Sequence, residues 1–595
     1  MKKLFTLLLL AVSVLTARAI PAFPYPQTIT QPDGSSVTIV MHGDENFNYA
    51  TTIDGYTVTW NQEGCVVYAK IENNEIKPTG IVAHDAGSRT ASDKEYLRSV
   101  GKTALPATCS IEAAIASRKA PRHKLSTWDI SKFHGLVVLV QFKDRPFLYS
   151  NTRELFNNMI NGDGYTGYYD SIHSKQVDCT GSVHDYFTDQ SNGVFDLTFD
   201  VVGPYKAPKS VTYYGENKNN SDQHARVIEL VKFACESANP EVNFKDYDWD
   251  EDGEVDQFYV LYAGKGEASG GENYTIWPHE SQIGRWPTAY RLDGVVLNTY
   301  ACGEEVDYYG QLSGIGTFCH EFSHCLGLPD FYDTNTASST PNYGMGDWDV
   351  MCAGNYNKNS WVPAPYTAYE RHFCSWLEYN ELTDPCKVSD MAPLVNNGEA
   401  FVVYNPANHN EYYLFEHRNN GEGWDRGVSG KGLLIYHVNF IRSRWNENTV
   451  NNSNAGNPCM TVVPADNNTS LDTENGDLFP YTSTIPIHTY NEFSDETTPA
   501  DKLFTANSDG SHLLHIKLSK ITYTKKSKTV SFTFNDGTQP FVGIHDINLS
   551  PSTTSGVYTL NGVRLNVAPE AISTLPRGIY IIKHSDGSTR KVMQK

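Results

Sequence analysis

No Cys-x-x-Cys pair occurs in this 595-residue chain, and its eleven cysteines are scattered rather than clustered. The length excludes a disulfide-stapled mini-fold, and the odd number leaves at least one thiol unpaired within a single chain. Positive charge is scarce: 47 Lys and Arg face 69 Asp and Glu, a net charge of −22 that argues against nucleic acid or anionic lipid as a partner. Repeats at solenoid periods are missing. Long apolar runs are missing too, and the one at the N-terminus, Leu4 to Leu15, is too short to span a bilayer. No transmembrane segment is therefore expected. Disorder is excluded from the other direction, because 36 tyrosines and 12% aromatics are enough to fill several β-rich cores. At this length more than one domain is expected.

The N-terminal run has a use. Two lysines precede it and Ala17-Arg18-Ala19 follows it, which gives the three regions of a secretory signal peptide over residues 1–19. The mature chain is expected outside the cytoplasm, secreted or attached to the cell surface.

Residues 314–333, GIGTFCHEFSHCLGLPDFYD, organise the rest. At helical rotation Ile315, Phe318, Cys319, Phe322 and Leu326 share one side, and His320, Glu321 and His324 share the other. Histidines at i and i+4 stand one turn apart, so both imidazoles can reach one zinc ion, with Glu321 beside them as the general base. The plain alternative is a solvated helix face with two ordinary histidines. Gly327 can turn the chain sharply out of the helix, which places Asp330 to supply a third, oxygen ligand, with Asp333 as its competitor. Upstream, Asp248, Asp250, Asp252, Gly253 and Asp256 follow the first nine positions of an EF-hand-type loop, with Glu254 offering its backbone carbonyl. Tyr259 stands where the closing Glu would be, and QFYVLYAGKGE after it reads as a strand. Acidic groups this dense repel one another unless a cation sits among them, so a structural Ca²⁺ is expected there. His279, His417 and His437 read as packed, hydrogen-bonded histidines.

The spacing H-E-x-x-H-x-x-G-x-x-D resembles the metzincin signature, with Asp in place of its third His. Met351 in GMGDWDVMCAG is similar to the Met-turn of that group. A Tyr usual two residues after that Met is replaced by Ala353, and Tyr356 is the alternative oxyanion donor. Together with TGSVHDYFTDQSNG, DWDEDGEVDQFYVLYAGKGE, EYYLFEHRNNGEGWDRG and GLLIYHV, these residues resemble the immune inhibitor A family of secreted metallopeptidases over most of 130–440. The resemblance implies an α/β metzincin-like zinc protease domain acting on protein or peptide substrates.

The flanks complete the layout. Residues 20–125 alternate short β-type runs with turns at Asp33-Gly34, Asp54-Gly55 and Glu63-Gly64, then end in a basic linker around Pro121. They read as a small β-rich propeptide with a maturation site near Arg118–Lys124. Zinc could be masked by Cys109, Cys65, a propeptide carboxylate or a new N-terminal amine. The α/β catalytic domain is expected over 126–388, with HGLVVLVQ as a buried strand, followed by a β-sandwich-like domain over 389–537. The longest polar loop of that domain is 444–476, rich in Asn, Ser, Thr and Gly. The last stretch, 538–595, holds hairpin turns at Asn561-Gly562 and Asp586-Gly587 and resembles C-terminal sorting domains of the type IX export route. A rival from another class is a non-catalytic surface binding protein retaining a metalloprotease fold. Its expected mark would be a missing general base, yet Glu321 is present.

Overall fold

The computed structural model describes residues 20–44, 48–61, 63–72, 75–100, 102, 134–215, 220–271, 274–284, 289–335, 341–469 and 471–541. Of the tail it describes 554–559, 564–565, 575, 578–584 and 589–594. The signal-like stretch 1–19, the basic linker 106–128 and Cys109 lie outside these residues.

The first described stretch folds as the turn chemistry dictates. Gly34, Gly55 and Gly64 all sit at positive φ, between +78° and +90°, and each closes a hairpin. Six strands from Gln27–Thr30 to Glu75–Val82 pair in sequence order as an antiparallel meander. Alternation in Ser36–Gly43 buries Val37, Ile39 and Met41 on one face. The helix Ala91–Ser99 begins in a capping box of Thr90 and Asp93. This small core is not closed by its own residues: Ala268, Trp277 and Tyr356 belong to the same cluster. The N-terminal unit is thus packed onto the following domain.

The apolar run Leu136 to Val140 forms the strand His134–Gln141, buried on both faces as a continuous hydrophobic strand must be. Its sheet runs Thr198–Lys206, His134–Gln141, Phe258–Lys265, Thr299–Val306, His279–Gln282. The first four strands are parallel, and the edge strand His279–Gln282 is antiparallel. Val137 and Leu139 point into one core, while Leu136, Val138 and Val140 point into another. The helix Asn220–Ala238 fills the second core through Val227, Leu230, Val231 and Cys235. The helix Gly316–Cys325 lies in the first, with Phe318 stacked on Tyr259 at 4.1 Å between ring centroids.

Downstream, a five-stranded sheet (Asn380–Glu381, Ala400–Asn405, Asn408–Asn419, Lys431–Asn439, Met460–Val462) lies against a four-stranded one (Cys386–Met391, Thr529–Phe534, Lys517–Thr524, Phe493–Ser494). Phe401, Val403, Tyr413 and Phe415 face the second sheet. The residues between them, Val402, Tyr412 and Leu414, join the core that holds the helix Gly316–Cys325. Period-two alternation therefore makes one sheet serve two cores. In the tail, Thr554–Thr559 pairs antiparallel with Arg564–Leu565, and Gly578–His584 with Thr589–Gln594, with the expected turn residues outside the described ones.

Candidate metal centre and its cleft

The helix Gly316–Cys325 is buried on every side through His324, so the His/Glu face is enclosed rather than solvated. Its start is pressed against backbone: a Cβ on Gly316 would lie 1.8 Å from Asn355 O. At its end, Gly327 takes φ +98° and donates to His324 O at 2.9 Å. That bend returns the chain across the helix face.

The return brings Asp330 Oδ1 to 3.1 Å from His320 Nε2 and 3.3 Å from His324 Nε2. Each imidazole donates its Nδ1–H to a carbonyl, His320 to Val350 O and His324 to Leu328 O, both at 2.7 Å. Those bonds set the tautomers and leave both Nε2 lone pairs turned inward. Three lone-pair atoms of fully buried side chains thus converge within 4.8 Å. They repel one another at that range unless a cation lies among them. Two imidazoles and one carboxylate are the donor set of a catalytic zinc site that keeps a position open.

Asp333, the competing third ligand, is committed elsewhere. Its Oδ1 accepts the amides of Asn335 at 2.8 Å and Ser453 at 3.0 Å, and its Oδ2 accepts Asn342 N at 2.8 Å. It pins a loop. Asp330 is held from its far side by Asn448, whose Oδ1 accepts the Asp330 amide at 2.7 Å and whose Nδ2 donates to Asp330 Oδ2.

Met351 is fully buried, and its carbonyl accepts Phe331 N at 2.8 Å, tying the turn to the segment that bears Asp330. Asp349 caps the turn by accepting Met351 N at 2.7 Å. Burial raises the Asp349 carboxyl above its usual range, and burial together with the neighbouring Asp349 charge raises Glu370.

Glu321 Oε1 accepts the backbone N–H of Ile20 at 3.0 Å. Trp277 Nε1 donates to Ile20 O at 3.1 Å, and Tyr356 Oη donates to Pro21 O at 2.6 Å. Ala22 and Phe23 donate to Gly43 O and Ala268 O, and Tyr25 Oη donates to Asp347 Oδ2 at 2.9 Å. The Phe23 ring meets Tyr356 edge-on at 5.2 Å. Ile20 and Pro21 thus lie against Glu321, Trp277 and Tyr356, while the Ala22 amide turns back to Gly43 of the N-terminal sheet. Cys65, by contrast, closes a hairpin, its amide on Asn61 Oδ1 at 2.8 Å.

Of the acidic loop, Asp248, Asp250 and Asp252 converge, with Gly253 at φ +87° turning the chain. Burial, then the neighbouring Asp252 and Asp250, raises the Asp248 carboxyl above its usual range. Asp256 is not part of that trio; its Oδ2 accepts Trp249 N at 2.5 Å. Glu254 pairs with Val296 across an isolated bridge. His279 is packed as expected, Nδ1 donating to Trp277 O at 2.6 Å and Nε2 3.0 Å from Tyr300 Oη. His417 donates Nδ1–H to Met391 O at 2.9 Å, and His437 Nε2 lies 3.1 Å from Glu411 Oε1.

Sequence reasoning missed Asn448, Trp277 and the segment Ile20–Tyr25 that meets Glu321. For Asn448 no local signal existed, because an Asn in an Asn-rich stretch reads as a solvated loop. Trp277 stood two residues from His279, which drew the attention instead.

Residues 131–375 match the model of the immune inhibitor A peptidase M6, catalytic domain. The chain is 26% identical over 330 residues to the pre-pro-metalloprotease PrtV of Vibrio cholerae serotype O1, covering 48% of this chain and 35% of the relative. It is 24% identical over 272 residues to immune inhibitor A of Bacillus thuringiensis subsp. alesti, covering 40% of this chain and 38% of the relative. The matched stretches thus span little more than a third of those relatives.

Proposed function

We propose, from the premise that residues 131–375 are a peptidase M6 catalytic domain of the immune inhibitor A type, that this chain is a secreted zinc-dependent endopeptidase. The observation that carries the reading is the convergence of His320, His324 and Asp330 next to Glu321, with the backbone of Ile20 and Pro21 hydrogen-bonded to Glu321, Trp277 and Tyr356. Zinc held by those three residues would acidify a water to a pKa near 7 and polarise the scissile carbonyl. Glu321 takes the proton of the attacking water and passes it to the leaving amine. Tyr356 Oη, which now donates to a peptide carbonyl, can donate likewise to a substrate carbonyl or to the developing oxyanion. Met351, in a metzincin-type turn, underlies the site through Val350 and His320.

The chain as described reads as a zymogen. The start of the segment Ile20–Tyr25 engages Glu321, and the six-stranded unit shares a core with Ala268, Trp277 and Tyr356. Because residue 20 follows the signal-like stretch, cleavage after Ala19 would turn the Ile20 amide into a free amine at Glu321. Activation then requires release of the N-terminal unit, and the basic linker is the site where cleavage would achieve it.

The remaining assignments follow the sequence. The layout is signal peptide 1–19, propeptide and linker 20–125, catalytic domain 126–388, β-sandwich-like domain 389–537 and sorting-like domain 538–595. Asp248, Asp250 and Asp252 would hold a structural Ca²⁺. Export is supported by the N-terminal pattern; among the described residues no helix is long and apolar enough to cross a membrane. The experiment is cleavage of casein by the processed protein with and without a chelator, beside a Glu321→Ala variant. Cleavage that survives both treatments overturns the reading. Zinc binding without any cleavage by the processed form would favour the non-catalytic binding protein.

A further inference from the structure

We propose that Asn448 is a positioning residue for the third metal ligand, and that the centre is completed by a segment lying outside the stretch matched to the catalytic domain. The proposal rests on the metal-site reading above.

Asn448 follows Asp330 by 118 positions and lies beyond residue 375, where the match to the peptidase domain ends. Its amide group meets Asp330 twice, accepting the backbone N–H on Oδ1 and donating from Nδ2 to carboxylate Oδ2. Both residues are buried, so water does not compete for these bonds. The two contacts fix the carboxylate plane relative to its own backbone. Oδ2 is held away from the imidazoles, and Oδ1 is left to face His320 and His324. An amide is the side chain suited to the task, since it offers one donor and one acceptor side by side. A carboxylate at 448 would keep the acceptor, lose the donor and set a like charge against Asp330.

Asn448 is itself built into place. It adopts φ +54°, a conformation Asn tolerates better than most residues, just after the helix Arg442–Asn446. Its carbonyl accepts Thr334 Oγ1 at 3.2 Å. Beside it, Asn451 Nδ2 donates to Phe331 O at 2.7 Å, and Trp445 packs on the Phe331 ring at 6.5 Å. Residues 445–453 thus run along the segment that follows the glycine bend and template its path. The polar character expected of a solvated loop is spent on holding a metal ligand.

The test uses the full chain and Zn²⁺ alone, with affinity read by competition against a chelator and the apo form followed by thermal unfolding. Asn448→Asp and Asn448→Ala are each expected to weaken zinc about 10–100-fold, the usual cost of losing a residue that orients a ligand. Thr334→Val, which removes one contact to the Asn448 backbone carbonyl and none to the side-chain amide that holds Asp330, is expected to lower apo stability while leaving zinc affinity close to wild type. Wild-type affinity in either Asn448 variant, or an equal loss in Thr334→Val, overturns the proposal. If one Asn448 variant fails to fold, the other decides the matter. Wild-type chain that binds no zinc would defeat the metal-site reading itself, a distinguishable result.

Discussion

The backbone nitrogen of Ile20 lies 3.0 Å from Glu321 Oε1, across 301 positions of sequence. The carboxylate proposed as the general base is therefore engaged by the N-terminal segment. Phe23 fixes that segment by packing on Tyr356 and Tyr308. Phe23→Ala removes this anchor, and losses of buried Phe typically cost about 3–5 kcal/mol. The freshly purified full-length variant should cleave casein without prior processing, while wild type stays silent. A silent Phe23→Ala protein that becomes active after processing would show that the segment does not control access.

Glu321→Ala should lower turnover by about 10²–10⁴-fold, the typical worth of a positioned general base. Zinc content should be unchanged, because the proposed metal donors are His320, His324 and Asp330 and not Glu321. Parallel loss of metal and activity would mean that Glu321 serves binding instead.

Asp330→Ala should release zinc far more readily than Asp333→Ala, whose carboxylate is occupied by three backbone amides. Asp333→Ala should instead loosen the loop it ties to Ser453, visible as faster local hydrogen exchange. The reverse order of zinc loss would reassign the third ligand.

Stability should fall as pH rises from about 5 to 8. Burial pushes the carboxyls of Glu267, Glu304 and Glu305 up to about 8, 7 and 7, from an ordinary 4.5. Between those limits the folded chain holds more protons than the unfolded one, so unfolding becomes easier as protons are withdrawn. Stabilisation by the protonated form is full at the acid end and lost through the folded-state values. Glu267→Gln should flatten the upper part of the curve in denaturant titrations at stepped pH. An unchanged slope would show that Glu267 does not contribute.

Removing Ca²⁺ with a selective chelator should lower the thermal midpoint without emptying the zinc site, since Asp248, Asp250 and Asp252 stand apart from the histidines. Asp250→Asn should reproduce the loss and make the protein insensitive to the chelator. Identical melting with and without Ca²⁺ would leave the loop an acidic turn.

How much could be read from the chain depends on how local the cause is. The helix, its glycine exit and the approach of Asp330 are set within fifteen residues, and periodicity with turn chemistry sufficed. The hairpins at Gly34, Gly55 and Gly64 were legible for the same reason. That Asp330 faces the two histidines while Asp333 does not was not legible, because Asp333 is drawn off by a set of amides that includes Ser453. Asn448 and Ile20 contact Asp330 and Glu321 from 118 and 301 positions away, and no spacing rule reaches that far. The acidic loop was legible only in part: its first three aspartates converge, while Asp256 turns to the Trp249 amide.

The most direct test is metal analysis of the processed protein together with its proteolysis before and after zinc is stripped and restored. One zinc per chain, cleavage lost on stripping and recovered on adding zinc back, is the predicted result. A folded, processed protein that holds no zinc, or that cleaves equally well without it, would contradict the account.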